Sequence, residues 1–497
     1  MTVAEAAQND RIEPWVWRIA AVVVLGSIMS ILDTTIVNVA LATLHRDLHS
    51  PLTDIQWVMT GYLLSLAVVI PLSGWASRRF GAKRMYLISI VLFTAGSALC
   101  GLASSATSLI LFRVLQGIGG GMIMPLGQMI LAGAAGPSRM GRVMAVTGVP
   151  TLLAPIIGPT IGGLIIDSIS WRWIFYVNVP IGVIAAILAI RLIPSARSEE
   201  QRTPLDLLGL ALIGIGLPGL TYGLAEIGTT GSFTSARVLV SIIGGLALIA
   251  AFVRHALRAR FPLLDLSLYR RNTYASASLA MFFLGGALFG VMILLPLYFQ
   301  ELRGQDALHT GLLLAPQGAG MALVMPIVGR LADRVGGGPL TLAGVILATV
   351  MGIPFGLIGA HTSLALIGVY QFLRGIGIAF AFMPAYVAAF AALERRELSD
   401  AAPQLNVLMR VGGSIGTAVL AVVLQRALTS AGPHPTAAAS AGAFGTAFWW
   451  GTAMLAVAVV PALILWRSER AARRNAASAA RESQELDAAP ALAEAAA

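Results

Sequence analysis

Apolar windows of about 20 residues recur along nearly the whole chain, separated by short stretches of Gly, Pro and charge, and each can cross roughly 30 Å of hydrocarbon as a helix. Fourteen are read, near 17–41, 54–76, 85–104, 107–133, 142–166, 173–193, 205–227, 236–254, 275–300, 309–331, 340–360, 363–389, 401–428 and 444–466. Runs this continuous exclude a membrane β-barrel, whose strands alternate over about 10 residues. The first window follows a polar stretch holding Asp10, Arg11 and Glu13 and is followed by further windows, so it reads as a retained helix and not as a cleaved signal.

Composition agrees with a chain whose solvent is the bilayer. Of 497 residues 57% are hydrophobic and only 11% charged, too few charges for a water-facing surface of this size. The net charge of +10 does not point to nucleic acid, because the basic residues are scattered between apolar spans with no aromatic-interleaved patch. Their placement reports topology instead. With the N-terminus inside, 25 of the 33 basic residues fall in cytoplasmic segments, five fall outside, and Arg113, Arg374 and Arg410 lie within spans. The positive-inside rule therefore supports an even number of helices with both termini cytoplasmic. The one cysteine, Cys100, can form no internal disulfide, and no His or Cys cluster has metal-ligand spacing.

The chain repeats itself. The loop after the second window, Gly74 to Gly81, matches the loop after the tenth, Gly329 to Gly336, with the glycines and Arg79/Arg334 in register; Gly117-Ile-Gly119 likewise echoes Gly375-Ile-Gly377 at nearly the same separation. An all-α membrane protein of two six-helix bundles is implied, with the site near mid-membrane between them. The expected division is a cytoplasmic segment (1–16), an N-terminal bundle (17–193), two inserted helices (205–254), a C-terminal bundle (275–466) and a loose cytoplasmic tail (467–497).

Asp33 is the one acid well inside an apolar span, where a carboxylate costs several kcal/mol unless it is paired, hydrated or protonated, so it is a natural proton carrier. At 1.5 Å per residue it lies about 12 Å below the outer surface, and Arg113 about 9 Å below it, close enough in depth to pair. An anchoring role for Asp33 through Thr34, Thr35 and Asn38 is the alternative. In the fifth window, Pro150, Pro155 and Pro159 each remove a backbone donor, while Gly148, Gly158, Gly162 and Gly163 permit close approach; a bent helix packed against the second bundle is expected. Asn38, Gln116, Tyr62, Arg374, Asn406 and Arg410 are the polar candidates for a substrate cavity, with backbone carbonyls as the other partners open to the two arginines.

Four stretches carry a resemblance to a known family: Leu32 to Leu41, Arg113 to Gly121, Gly148 to Gly163 and Trp171 to Gly182. The chain resembles the fourteen-helix drug:proton antiporter branch of the major facilitator superfamily over essentially its whole length. The resemblance implies the major facilitator fold with two extra helices, and proton-coupled export of small, largely apolar or cationic compounds across the inner membrane. It makes Gly148 to Gly163 the antiporter signature and Gly74, Arg78, Arg79, Gly81, Gly329, Asp333, Arg334 and Gly336 the cytoplasmic gating loops. The family usually carries aspartate at the fifth loop position. Asp333 supplies it in the second half, whereas Arg78 stands there in the first, which puts the first bundle's aspartate-centred latch in doubt. The bilayer, protons and a small-molecule substrate are the expected partners, a periplasmic adaptor is compatible, and a monomer is expected. No phosphate-binding loop is present, so the proton gradient is the expected drive, with no cofactor and no enzymatic activity. The alternative is a proton-coupled importer or exporter of one metabolite.

Overall fold

Every apolar window folds as helix, and the two that break do so at proline or just before it. The computed structural model describes residues 12–136, 139–194, 204–230, 235–432 and 435–495, and among these there is no strand. The first bundle comprises α1 (Pro14–Asp47), α2 (Leu52–Val69), α3 (Leu72–Phe80), α4 (Ala82–Gly101), α5 (Ala106–Ala135), α6 (Met140–Ser168), α7 (Trp173–Tyr176) and α8 (Asn178–Leu192). Two inserted helices follow, α9 (Leu207–Thr230) and α10 (Ala236–Ala256). The second bundle comprises α11 (Asn272–Leu297), α12 (Ala307–Val335), α13 (Gly337–Gly356), α14 (Leu364–Ala391), α15 (Leu398–Ser430) and α16 (Ala437–Ala495).

Twelve helical spans among the described residues are long and apolar enough to cross a membrane, α7 and α8 counting as one; α2 and α3 form a further pass bent by 55° at Pro71. Proline there lacks the amide that would continue the ladder. The remaining pass of the expected fourteen falls on α6, whose 29 residues rise about 43 Å at 1.5 Å each. Not all of its side chains are described. The second break falls at Val177, three residues ahead of Pro180.

The two loop glycines of the repeat have the same backbone role. Gly81 and Gly336 end α3 and α12 at φ of 86° and 103°, a left-handed conformation that costs glycine little and a side-chain residue much. In the second bundle the turn is held further: Glu469 of α16 accepts hydrogen bonds from the amides of Gly337 (3.1 Å) and Gly338 (2.5 Å), a carboxylate on the positive end of α13. The tail is accordingly not loose from its root. Helix α16 runs from Ala437 to Ala495, through Pro490, and the Ala, Glu and Arg content beyond Trp466 favours helix.

The bundles meet chiefly through α6 and α12, and also where α15 reaches α3 and α5. The inserted α9 packs on both α2 and α15, bridging the two halves, and Trp57 of α2 stacks on Tyr222 of α9 with ring centroids 6.1 Å apart.

Candidate functional site

Asp33 and Arg113 meet inside the first bundle, both with side chains at 0% exposure. Arg113 Nη1 lies 2.5 Å from Asp33 Oδ2, and the same nitrogen donates to Gln116 Oε1 at 2.8 Å. Gln116 Nε2 and Asn178 Nδ2 donate to the other carboxylate oxygen, at 2.9 and 3.1 Å. Arg113 Nε donates to the carbonyl of Val58 (3.2 Å), and its guanidinium lies over the Tyr62 ring at 4.0 Å. Asn178 also reaches Ser97 Oγ (3.1 Å), whose hydroxyl donates to the Phe175 carbonyl (2.9 Å). One acid on α1 is thus met by donors from α5 and α8, with α2 stacked beneath the cation. Buried charge survives only under such pairing and hydrogen bonding.

Glycine spacing makes the approach feasible. At Gly96 of α4 an added Cβ would lie 2.7 Å from the Gln116 backbone, and at Gly119 of α5 it would lie 2.5 Å from Phe93 N. Without those side chains α4 and α5 close enough to seat Gln116 against Asp33.

Gln116 and Tyr62, which the sequence suggested as cavity lining, are fully buried members of this cluster. Asn406 is occupied elsewhere: its amide donates to Gln128 Oε1 across the bundle interface at 2.7 Å and to the Ala402 carbonyl at 2.8 Å. Asn178, Ser97 and Gln128 did not emerge from the sequence as site residues. An amide in the otherwise apolar Phe-Tyr-Val-Asn-Val was the available signal for Asn178.

The antiporter stretch corrects one expectation. Gly158 and Gly162 close on α1 and not on the second bundle: a Cβ at 158 would strike Thr35 Oγ1, and one at 162 would sit 3.2 Å from Ile36 Cγ2. Contact with the second bundle comes from the N-terminal half of α6, where Gly148 faces Met325 and Met383 and Gly141 faces the Gly329 carbonyl. Ten residues separate Gly148 from Gly158, and at 100° each they turn the small-residue stripe by about 80°, from α12 towards α1. Gly163 meets open space. The side chains of Asn38, Pro150, Pro155 and Pro159 lie outside the described residues.

The two glycine-bounded loops are paired across the bundles. Arg78 bridges Asp400 of α15 at 2.6 Å and donates to Ser399 Oγ at 3.2 Å. Asp333 receives Arg142 Nε at 2.8 Å and the Gly141 amide at 2.7 Å. The loop position that is Arg in one half and Asp in the other therefore finds the opposite charge in the opposite bundle. An ion pair to the opposite bundle is thus present in the first half as well, with reversed polarity. Gly74 lets the Ser399 carbonyl approach, and Gly329 packs on Ala145. Arg79 is half-buried and Arg334 exposed, and neither makes an ion pair among the described residues.

In the second bundle, Arg374 is 3% exposed and donates to Gln317 Oε1 at 3.3 Å; Gln371 Nε2 donates to the Leu313 carbonyl at 2.7 Å. Arg410 Nε is buried and has no acceptor among the described residues.

Residues 23–417 match the Major Facilitator Superfamily. The chain is 41% identical over 418 residues to the multidrug resistance protein B homolog of Mycobacterium tuberculosis, covering 84% of this chain and 77% of that one. It is 31% identical over 405 residues to the multidrug export protein EmrB of Escherichia coli, covering 80% and 77%. Among solved structures, its fold is similar to the human organic anion transporter MFSD10 (TM-score 0.62, 15% identity, 90% of this chain and 100% of that one). It is also similar to the proton:xylose symporter XylE (TM-score 0.63, 14% identity, 92% and 96%). The chain belongs to the Major Facilitator Superfamily, grouping there with the multidrug efflux permeases.

Proposed function

We propose that the chain is a proton-coupled antiporter that exports small, largely apolar compounds across the inner membrane by alternating access, with both termini cytoplasmic. The observation that carries this reading is the fully buried Asp33, held by Arg113, Gln116 and Asn178. An intramembrane acid with a buried counter-ion is a proton site by its chemistry. A proton arriving at Asp33 abolishes its charge and frees the Arg113 guanidinium from the pair, leaving that cation to Gln116 Oε1 and the Val58 carbonyl. Departure of the proton restores the pair. The network thus has two charge states whose internal hydrogen bonds differ, and a transporter that couples proton movement to conformation needs such a two-state element.

The pairs Arg78–Asp400 and Asp333–Arg142 join the bundles at their cytoplasmic ends and must part before that side opens. In the proposed cycle these pairs are closed and the Asp33–Arg113 pair intact, and the next step is uptake of a proton from outside. Return to the cytoplasm-facing form would carry that proton inward and present the site to substrate. The names of the curated relatives support efflux as the direction.

Everted membrane vesicles loaded with a panel of compounds and an imposed pH gradient test the reading. Compounds should accumulate in the acidic lumen and leak out when nigericin collapses the gradient. Accumulation that persists after collapse, or that requires ATP, would refute proton coupling.

A further inference from the structure

The inserted helices α9 and α10 stand outside the repeat, and they form one tight hairpin. Glycine occupies the positions along their contact where a side chain would collide. A Cβ at Gly216 would lie 3.1 Å from Leu248, one at Gly223 would lie 2.7 Å from Ile242, and one at Gly245 would lie 2.6 Å from the Leu220 amide nitrogen. Small residues let two helices close to near backbone contact in hydrocarbon, so the pair behaves as a single body.

Asp206 ties the ends of that hairpin together, its side chain 7% exposed. Its Oδ1 accepts from the Gly209 amide at 2.8 Å, capping α9, and lies 2.8 Å from His255 Nε2 at the end of α10. Its Oδ2 accepts from the Leu263 amide at 3.2 Å. The segment held in this way runs directly into the second bundle. There the Asp265 carbonyl accepts from Gln404 Nε2 of α15 at 3.0 Å, and Arg271, just ahead of α11, pairs with Glu397 at 2.8 Å.

Towards the first bundle α9 presents rings and aliphatic groups. Tyr222 stacks on Trp57, Gly214 faces Val68, and Ile213 and Leu217 pack with Ala67 and Leu72. Dispersion contacts have no preferred direction and re-form after a shift along the surface, whereas directed bonds to one buried carboxylate are lost together when their partners part. The insert is therefore bonded to one bundle and greased against the other. It also covers the seam between α2 and α15, helices that carry buried polar groups such as Tyr62 and Asn406. A gap at that seam would set those groups against hydrocarbon.

We propose that the insert is a lateral seal carried by the second bundle: α9 stays with α15 and slides over α2, keeping the seam closed to lipid while the bundles move. Asp206 is the positioning residue of this device. It acts by holding the hairpin to the segment that α15 anchors. The proposal rests on alternating access from the reading above, and on neither proton coupling nor the direction of transport.

The test joins pairs of cysteines in a Cys100→Ala background with a short, membrane-permeant bis-methanethiosulfonate. Export of N-phenyl-1-naphthylamine, a neutral apolar dye, is followed in everted vesicles, each chain being compared with its own rate before linkage and after reduction. Ile227→Cys/Val422→Cys joins α9 to α15, whose side chains share a buried cluster, and should leave export unchanged. Trp57→Cys/Tyr222→Cys joins α9 to α2 and should stop it. Gln128→Cys/Asn406→Cys joins the bundles directly and should stop it as well. Loss of export on the first link would overturn the proposal. So would export that survives the second link while the third abolishes it. Export that survives the third link would refute alternating access itself, and the seal with it. A further measurement needs no transport. In nanodiscs, Asp206→Ala should slow formation of the α9–α15 link about tenfold, the loss expected for hydrogen bonds to a buried carboxylate. The α9–α2 link should form at its usual rate in the same chain, which shows that the helices are still folded together. An α9–α15 link that forms equally fast with and without Asp206 would overturn the fastening, whether or not the dye is exported.

Discussion

Asp33→Asn removes one charge and keeps size, and the geometry predicts more than loss of function. The Asp33 carboxylate accepts from three donors: Arg113 Nη1, Gln116 Nε2 and Asn178 Nδ2. An amide has one acceptor oxygen, so in either orientation its NH2 faces at least one of those donors. Arg113 is then a guanidinium at 0% exposure without a counter-ion. Breaking a buried pair from one side costs about 3–5 kcal/mol, roughly two to four powers of ten in the folded-to-unfolded ratio. The single variant should therefore melt at a lower temperature in detergent and release no protons when substrate is added to proteoliposomes. Adding Arg113→Gln removes the stranded cation. The double variant should regain most of the lost thermal stability and still release no protons, so that stability and coupling separate. A coupling energy of several kcal/mol across the double-mutant cycle is expected. Undiminished substrate-induced proton release in Asp33→Asn would remove the acid from the mechanism. A double variant as unstable as the single one would show that charge pairing is not what Asp33 contributes.

Three further outcomes follow from the same geometry. Arg78→Asp should break the bridge to Asp400 and favour opening of the cytoplasmic side, read as faster labelling of an engineered cysteine at position 145; a partly exposed pair is worth about 1 kcal/mol, or roughly fivefold in population. The charge-swapped Arg78→Asp/Asp400→Arg should return labelling to the wild-type rate, and failure to do so would rule out an electrostatic latch. Gly158→Ala should lower the melting temperature by pushing α1 from α6, with partial recovery when Thr35→Ala removes the colliding hydroxyl; equal stability of Gly158→Ala and wild type would contradict the packing. In a Cys100→Ala background, a cysteine at position 198 should resist impermeant reagent in intact cells and one at 440 should react, whereas labelling of 198 from outside would invert the topology.

The bilayer makes much of this protein legible in one dimension. Backbone amides in hydrocarbon must bond within their own helix, so about 20 apolar residues leave one structure open, and all fourteen windows are helical. The cost of charge in the same medium singled out Asp33, Arg113, Arg374 and Arg410 from sequence alone. The register of the repeat could be read as well, and Gly81 and Gly336 share a backbone conformation because both loops need the same turn. What stayed hidden was partnership. Asn178 lies 145 residues from Asp33, Asp333 lies 191 from Arg142, and Arg78 lies 322 from Asp400, and nothing local distinguishes a gating acid from a solvated one. Asp400, in the first turn of α15, belongs to a polar stretch that reads from the sequence as ordinary loop. The same limit produced the mistake at Gly158 and Gly162: small residues announce that some helix comes close, but which one depends on the turn of α6 between its neighbours. Pairing across bundles is decided by how the helices settle against one another, and only the tertiary structure contains that.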